Sequence, residues 1–332
     1  MKKTSKISFF LFVFFYNYLW LRILIFPNLY NNFGTTGFIM FIFIMLGIIS
    51  ITLFIPKKIF KINFSKQYND SWYRWLNCLL IILETIINIC FTVYFLNKVF
   101  IEESNIYMIL ILIGFGVILV SNLLPNEIID LSTLFHICGL VLIGISLIVT
   151  PKMEIDYLFI VKDINVWFIV IFVSFIIVDN LKILINKDSL DIHKSNFIMP
   201  IIFSILLCII EYGFLIMTVG DKALLKLTYV GFLELSFMPV TKYFGDFNFV
   251  YIYLLLICVV FKNSFNVSLV KNSIDLNKKV FNLILLFVLF LCSTIILNCI
   301  EMSRLYLYLV LVVLLNAGIF WMIGKCYFVR EG

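Results

Sequence analysis

Charge is scarce in this chain. Only 13% of its 332 residues are Asp, Glu, Lys or Arg, against 63% hydrophobic, whereas soluble globular domains carry about 25% charged residues. Histidine is scarcer, with His136 and His193 alone. No H-E-x-x-H, no G-x-S-x-G and no Gly-rich loop closing on Lys-Ser or Lys-Thr occurs, so the signatures of a metallohydrolase or an ATPase are missing. The eight cysteines fall in or at the ends of apolar runs without a C-x-x-C or paired histidines, which points to packing rather than to a disulfide frame or a metal site. No soluble domain, linker, low-complexity tail or evident repeat interrupts the chain. These absences argue against an enzyme, imply no cofactor, and give the net charge of +6 no nucleic-acid partner to serve.

What is present is apolar sequence of membrane-spanning length, repeated from end to end at a mean hydropathy of +1.12. Runs of roughly 17 to 25 apolar residues cross a bilayer as helices, because lipid offers the backbone no hydrogen-bond partner. The expected fold class is therefore all-α, a polytopic membrane protein with about ten transmembrane helices. The spans are drawn at 7–27, 34–56, 75–97, 107–124, 131–150, 165–186, 197–219, 248–264, 280–300 and 305–325. The start, MKKTSKISFFLFVFFYNYLW, has the charge and apolar run of a secretory signal but no small-residue cleavage site, and is expected to stay as span one.

Lys and Arg set the orientation. With the N-terminus in the cytoplasm, seventeen of the 25 basic residues collect on that side and seven on the other, with Arg22 inside span one. Both termini are thus expected in the cytoplasm. Two stretches fall outside the regular pattern. Residues 57–74 form a basic, aromatic-bearing loop suited to anionic headgroups, and 220–247 is too polar to span and too apolar for a free loop, as an interfacial or re-entrant segment would be.

Polar residues at membrane depth are the candidate machinery, because an ionisable side chain inside a span costs about 2.5 to 3.5 kcal/mol and usually faces a cavity or a partner. Asn17, Tyr18 and Arg22 lie in span one, Glu84 in span three, Ser174, Phe175 and Asp179 in span six, and Glu211 in span seven. Asp179 and Lys182 stand one turn apart, so Asp179, Lys182 and Arg22 read as a gate or an ion pair. Glu84 and Glu211, with no opposite charge within a turn, read as facing a polar interior. His136 reads as a core histidine hydrogen-bonded to a neighbour.

Three segments carry a family resemblance: a first span ending in proline (LRILIFPNLYNNFGTTGFIM), a fifth ending in a Thr-Pro turn before an acidic stretch (LIVTPKMEIDYL), and residues 218–264. Together they resemble the spore-germination permease family, the B subunits of nutrient germinant receptors, within the amino-acid/polyamine/organocation transporter superfamily. The resemblance implies a five-plus-five inverted repeat with a small-nutrient site between spans one and six, which makes Asn17, Tyr18, Ser174 and Phe175, with Glu84 and Glu211 tuning its polarity, the expected substrate-binding set. It also implies a location in the inner membrane of a spore, with a larger membrane A subunit and a lipoprotein C subunit as partners and an amino acid as ligand. Asn17 to Arg22 is bulky where that family carries glycines. The competing expectation is a free-standing, proton-coupled amino-acid transporter, with Glu84 or Asp179 as the relay.

Overall fold

The computed structural model describes residues 5–21, 36–53, 71–100, 106–148, 180, 183, 194–219, 247–273 and 278–299. Arg22, Pro27, Ser174, Phe175, Asp179, Lys182, His193 and the expected span at 305–325 lie outside the described residues, as do 57–70 and 220–246. All the regular structure among the described residues is helical: α1 Lys6–Trp20, α2 Thr36–Leu53, α3 Ser71–Phe100, α4 Ile106–Val120, α5 Pro125–Ile148, α6 Lys194–Val219, α7 Phe247–Ser273 and α8 Lys278–Cys299.

Local chemistry sets the helix ends. Ser5 caps α1, its Oγ accepting from the Ser8 amide at 2.9 Å, which satisfies a donor that the first turn otherwise strands. The hydropathy pattern starts the fifth span at 131, but α5 begins at Pro125. Pro125 occupies the first helical position and the Leu124 amide donates to Glu127 Oε2 at 2.9 Å. The polar Asn126–Asp130 stretch that lowers the hydropathy is thus a helix start, with proline and an acidic residue where both are favoured. Helix α6 runs through Pro200 in its second turn.

The largest difference from expectation is at α7. The apolar run stops near 264, which assigns Lys262 and Lys271 to a cytoplasmic loop, but the helix continues to Ser273 and every residue from Phe261 to Val270 is buried. Twenty-seven residues make a helix about 40 Å long, beyond the roughly 30 Å hydrocarbon core. Its polar end persists because other helices, not solvent, supply its partners. Ser264 Oγ donates to Val117 O at 3.1 Å, Ser268 Oγ to Leu123 O at 2.8 Å, and Lys271 Nζ to Ser121 Oγ at 2.7 Å. Removing Lys262 from the loop count leaves the charge bias on the same side.

Helices α1 and α7 are the hubs. Helix α1 packs on α5, α6 and α7, and α7 packs on α3, α4 and α5, with α2 outside α6 and α8 against α3 and α4. Contact pairs fix the helix directions. Phe10 meets Phe203 and Tyr18 meets Glu211, so α1 and α6 run parallel, eight residues matching eight. Gly116 meets Val260, Val117 meets Ser264 and Leu123 meets Ser268, so α4 and α7 are parallel too. Phe12 meets Phe265 while Tyr16 meets Lys262, which makes α1 and α7 antiparallel.

The outside of the bundle is rich in large apolar side chains: Phe43, Met108, Leu112, Leu134 and Phe287 face outward, while Asn17, Glu84, Glu211, Lys262, Asn263 and Asn266 are buried within a mostly apolar core. Two helical stretches, Pro125–Ile145 and Asn196–Phe214, are long and apolar enough to cross a membrane. On the first, Leu131, Leu134, Ile137 and Val141 are exposed, an apolar face of the kind that marks contact with lipid or protein.

Candidate functional site

Three consecutive residues of α1 reach three different elements. Helix α1 is apolar almost all round and buried almost all round, as expected of a central helix. Successive side chains point about 100° apart, so Tyr16, Asn17 and Tyr18 fan out.

Tyr18 points at α6. Its hydroxyl lies 2.8 Å from Glu211 Oε1 and 3.0 Å from Oε2, both side chains being buried. A phenol has one proton, which only one carboxyl oxygen can take at a time. The Phe14 ring stacks on Tyr18 at 5.8 Å and 9°, holding the phenol in place.

Asn17 points at Asn180. Asn17 Nδ2 donates to Asn180 Oδ1 at 3.0 Å, and Asn180 Nδ2 donates back to Asn17 Oδ1 at 2.6 Å. The other Asn17 amide hydrogen goes to Val13 O at 2.7 Å, one turn earlier on its own helix. Both donors and the acceptor of Asn17 are therefore engaged.

Tyr16 points at α7. Its hydroxyl donates to Asn266 Oδ1 at 3.1 Å, and its carbonyl accepts from Lys262 Nζ at 3.2 Å. The same ammonium lies 4.0 Å from the Tyr16 ring centroid. A buried cation needs such compensation, and a ring face supplies part of it. The remaining side of α1 is held by shape. Phe15 stacks on His136 of α5 at 4.7 Å and 6° and lies across Gly139, where an added Cβ would sit 2.8 Å from its Cζ. His136 is thus a core residue held by ring stacking; its Nδ1 finds no partner among the described residues.

A scan against protein-family models found no match, and a search of curated proteins found none.

Of the expected ligand contacts, Tyr18 and Glu211 touch, and Asn17 sits beside them with Asn180. Glu84 is buried on α3, which packs mainly on α7, α8 and α4, so it belongs to a different side of the bundle from Glu211. Ser174 and Phe175, and the gate candidates Arg22, Asp179 and Lys182, fall outside the described residues. Reading residues one by one overlooks Asn180, Lys262, Asn263 and Asn266. Asn180 stands next to the more conspicuous Asp179, and Lys262 follows an apolar run as a loop lysine would. Among the described residues no three His, Cys, Asp or Glu side chains converge as around a metal ion.

Chemically, the Tyr18–Glu211 and Asn17–Asn180 pairs are contacts that a small zwitterion can replace in kind. An ammonium group is a stronger partner for the Glu211 carboxylate than a phenol is. A ligand carboxylate or carboxamide can accept from the amides of Asn17 and Asn180.

Proposed function

We propose that this chain is a nutrient-sensing, permease-like subunit of a spore germinant receptor, embedded in the bilayer by about ten helices arranged as five-plus-five inverted repeats. An amino acid binds at α1 in the middle of the bundle, and the change is read by a larger membrane A subunit and a lipoprotein C subunit. Both termini are cytoplasmic in this reading, and the membrane is the inner membrane of the spore. The large apolar side chains on the outside of the bundle support a lipid surrounding. The helix directions suit a chain that crosses alternately, since the first and seventh spans, like the fourth and eighth, then run the same way.

The observation that carries the reading is the fan of Tyr16, Asn17 and Tyr18. One central helix is fastened to three neighbours by side-chain bonds, two of them exchangeable for ligand contacts. In the free protein Tyr18 occupies Glu211 and Asn180 occupies Asn17. A ligand ammonium takes Glu211, its carboxylate takes the amides, and α1 is released from α6. The ligand shifts the equilibrium because it binds the released state more tightly than the fastened one.

Spores carrying Tyr18→Phe, Glu211→Gln or Asn17→Ala, with subunit abundance checked by immunoblot, test this. Altered nutrient sensitivity in all three is the expected result, and a normal response in all three sinks the site. A second reading, a free-standing proton-coupled amino-acid transporter, is favoured by the carboxyl group held on a phenol in the core. Amino-acid uptake by the protein alone in proteoliposomes, driven by a pH gradient and lost in Glu211→Gln, would select it over the receptor.

A further inference from the structure

A second polar cluster lies where α3 meets α7, and it touches the fan of α1 only through the Tyr16–Asn266 bond. Asn77, Glu84, Asn88 and Thr92 are spaced by seven, four and four along α3, which puts them on one helix face. That face meets α7, where Asn88 Nδ2 lies 3.5 Å from Asn263 Oδ1, the outer limit of a hydrogen bond. Asn88 Oδ1, Asn263 Nδ2 and Asn266 Nδ2 find no partner among the described residues. Asn88 is 6% exposed and the two α7 asparagines 0%. Exchanging O and N in both Asn88 and Asn263 leaves the count unchanged, with two donors and an acceptor still facing the seam, whereas exchanging one alone would lose their bond.

We propose that Asn88, Asn263 and Asn266 form a hydration site at the junction of α1, α3 and α7, whose ligand is water. The unmatched groups are two donors and one acceptor. This suits a molecule that accepts and donates at once, and buried waters typically make about three hydrogen bonds to such groups. An anion would leave Asn88 Oδ1 facing a like charge. A metal cation would meet two amide donors, with the Lys262 ammonium on the same turn. An organic ligand would not fit between amides already 3.5 Å apart. Through Asn266 the site touches Tyr16 of α1, and along α3 it lies one turn from Glu84. Water thus bridges α3 to α7, while α1 stays fastened to α7 by the direct Tyr16–Asn266 and Lys262–Tyr16 bonds. The site does not depend on the chain being a nutrient sensor.

X-ray hydroxyl-radical footprinting of the whole protein in nanodiscs tests this, because radicals formed from a bound water oxidise the reactive side chains beside it. Tyr16 and Tyr18 are an internal comparison: both are buried, at 1% and 0% exposure, two residues apart. Tyr16 and Phe265 are expected to oxidise several-fold faster than Tyr18, and the Tyr16 rate to fall to that of Tyr18 in Asn88→Leu/Asn263→Leu. Equal, slow oxidation of Tyr16 and Tyr18 in the native protein overturns the proposal, and this needs no variant to fold. Fast Tyr16 oxidation that persists in the folded double variant overturns its assignment to these amides. Asn263→Ser, which keeps a donor and an acceptor, is expected to retain the native rate.

Discussion

Two asparagine pairs bridge helices in this bundle, and they differ in closure. Asn17 and Asn180 exchange bonds at 3.0 and 2.6 Å, with the spare Asn17 hydrogen on Val13 O. Asn88 and Asn263 approach on one side only, at 3.5 Å, and leave an acceptor and a donor over. Residue type and burial are alike, so the difference lies in orientation. The first pair sits where α1 is also fastened to α6 by Tyr18, and its bonds run both ways. The second sits where α3 meets the polar half of α7, a helix stretch whose partners are already spread over α1 and α4. A closed pair resists separation until something replaces it, which suits a contact that a ligand must open. An open pair tolerates movement.

The sharpest way to break that comparison is to remove the closed side outright. Tyr18→Ala deletes a fully buried ring that stacks on Phe14 and meets Glu211, and aromatic truncation of this kind costs about 3 to 5 kcal/mol. Unfolding by graded detergent should show that loss. A native-like unfolding midpoint would mean that α1 is not fastened through Tyr18. Next in size is Gly139→Ala. Its Cβ would lie 2.8 Å from Phe15 Cζ, and the ring cannot turn freely because it stacks on His136. Overpacking should cost about 1 to 3 kcal/mol, with Phe15→Leu in the same chain restoring much of it by making room. That measurement separates the side of α1 held by shape from the sides held by hydrogen bonds.

How far the sequence reveals this arrangement depends on the kind of signal. Asn17, Tyr18 and Glu211 stand out because polar side chains at membrane depth are costly, and Tyr18 and Glu211 do meet. Their pairing is not legible, since the partners are 193 positions apart and one chain carries no record of which polar residues face each other. Hydropathy locates α2, α4 and α6 within a few residues because their apolar runs coincide with their helices. It fails at both ends of the polar turn next to Ser121, where Asn126–Asp130 is a helix start, and along Lys262–Ser273, where protein surrounds a hydrophilic helix end. Lys262 is the instructive case: its partners are a carbonyl and a ring of α1, 246 positions away. Of the stripe of Asn77, Glu84, Asn88 and Thr92, only Glu84 stands out in the sequence, because the others are uncharged. What the stripe faces is not legible.

A smaller effect is expected from opening the closed pair. Side-chain hydrogen bonds between helices in a bilayer contribute about 0.6 kcal/mol on average and up to about 1.7 kcal/mol. Asn17→Leu breaks two such bonds, so about 1 to 2 kcal/mol is expected. Asn180→Leu breaks the same two, and the double variant should cost less than the two together, because both substitutions remove one shared pair of bonds. Strict additivity would mean that the two amides are not bonded to each other.

The smallest effect is expected from Asn88→Leu. Its single contact, at 3.5 Å, is already at the edge of being a bond, and the water site leaves Asn263 and Asn266 with a partner after the change. Stability should fall by less than about 0.6 kcal/mol, and the cycle with Asn263→Leu should show almost no coupling. The comparison thus reduces to two coupling energies measured in the same protein with the same pair of substitutions. If Asn88 and Asn263 couple as strongly as Asn17 and Asn180, the second pair is closed in the membrane. The α3–α7 seam is then as rigid as the α1 latch, and movement of α1 must be taken up along α5, where ring contacts of Phe12 and Phe15 with His136 and the close approach of Phe15 to Gly139 hold it by shape.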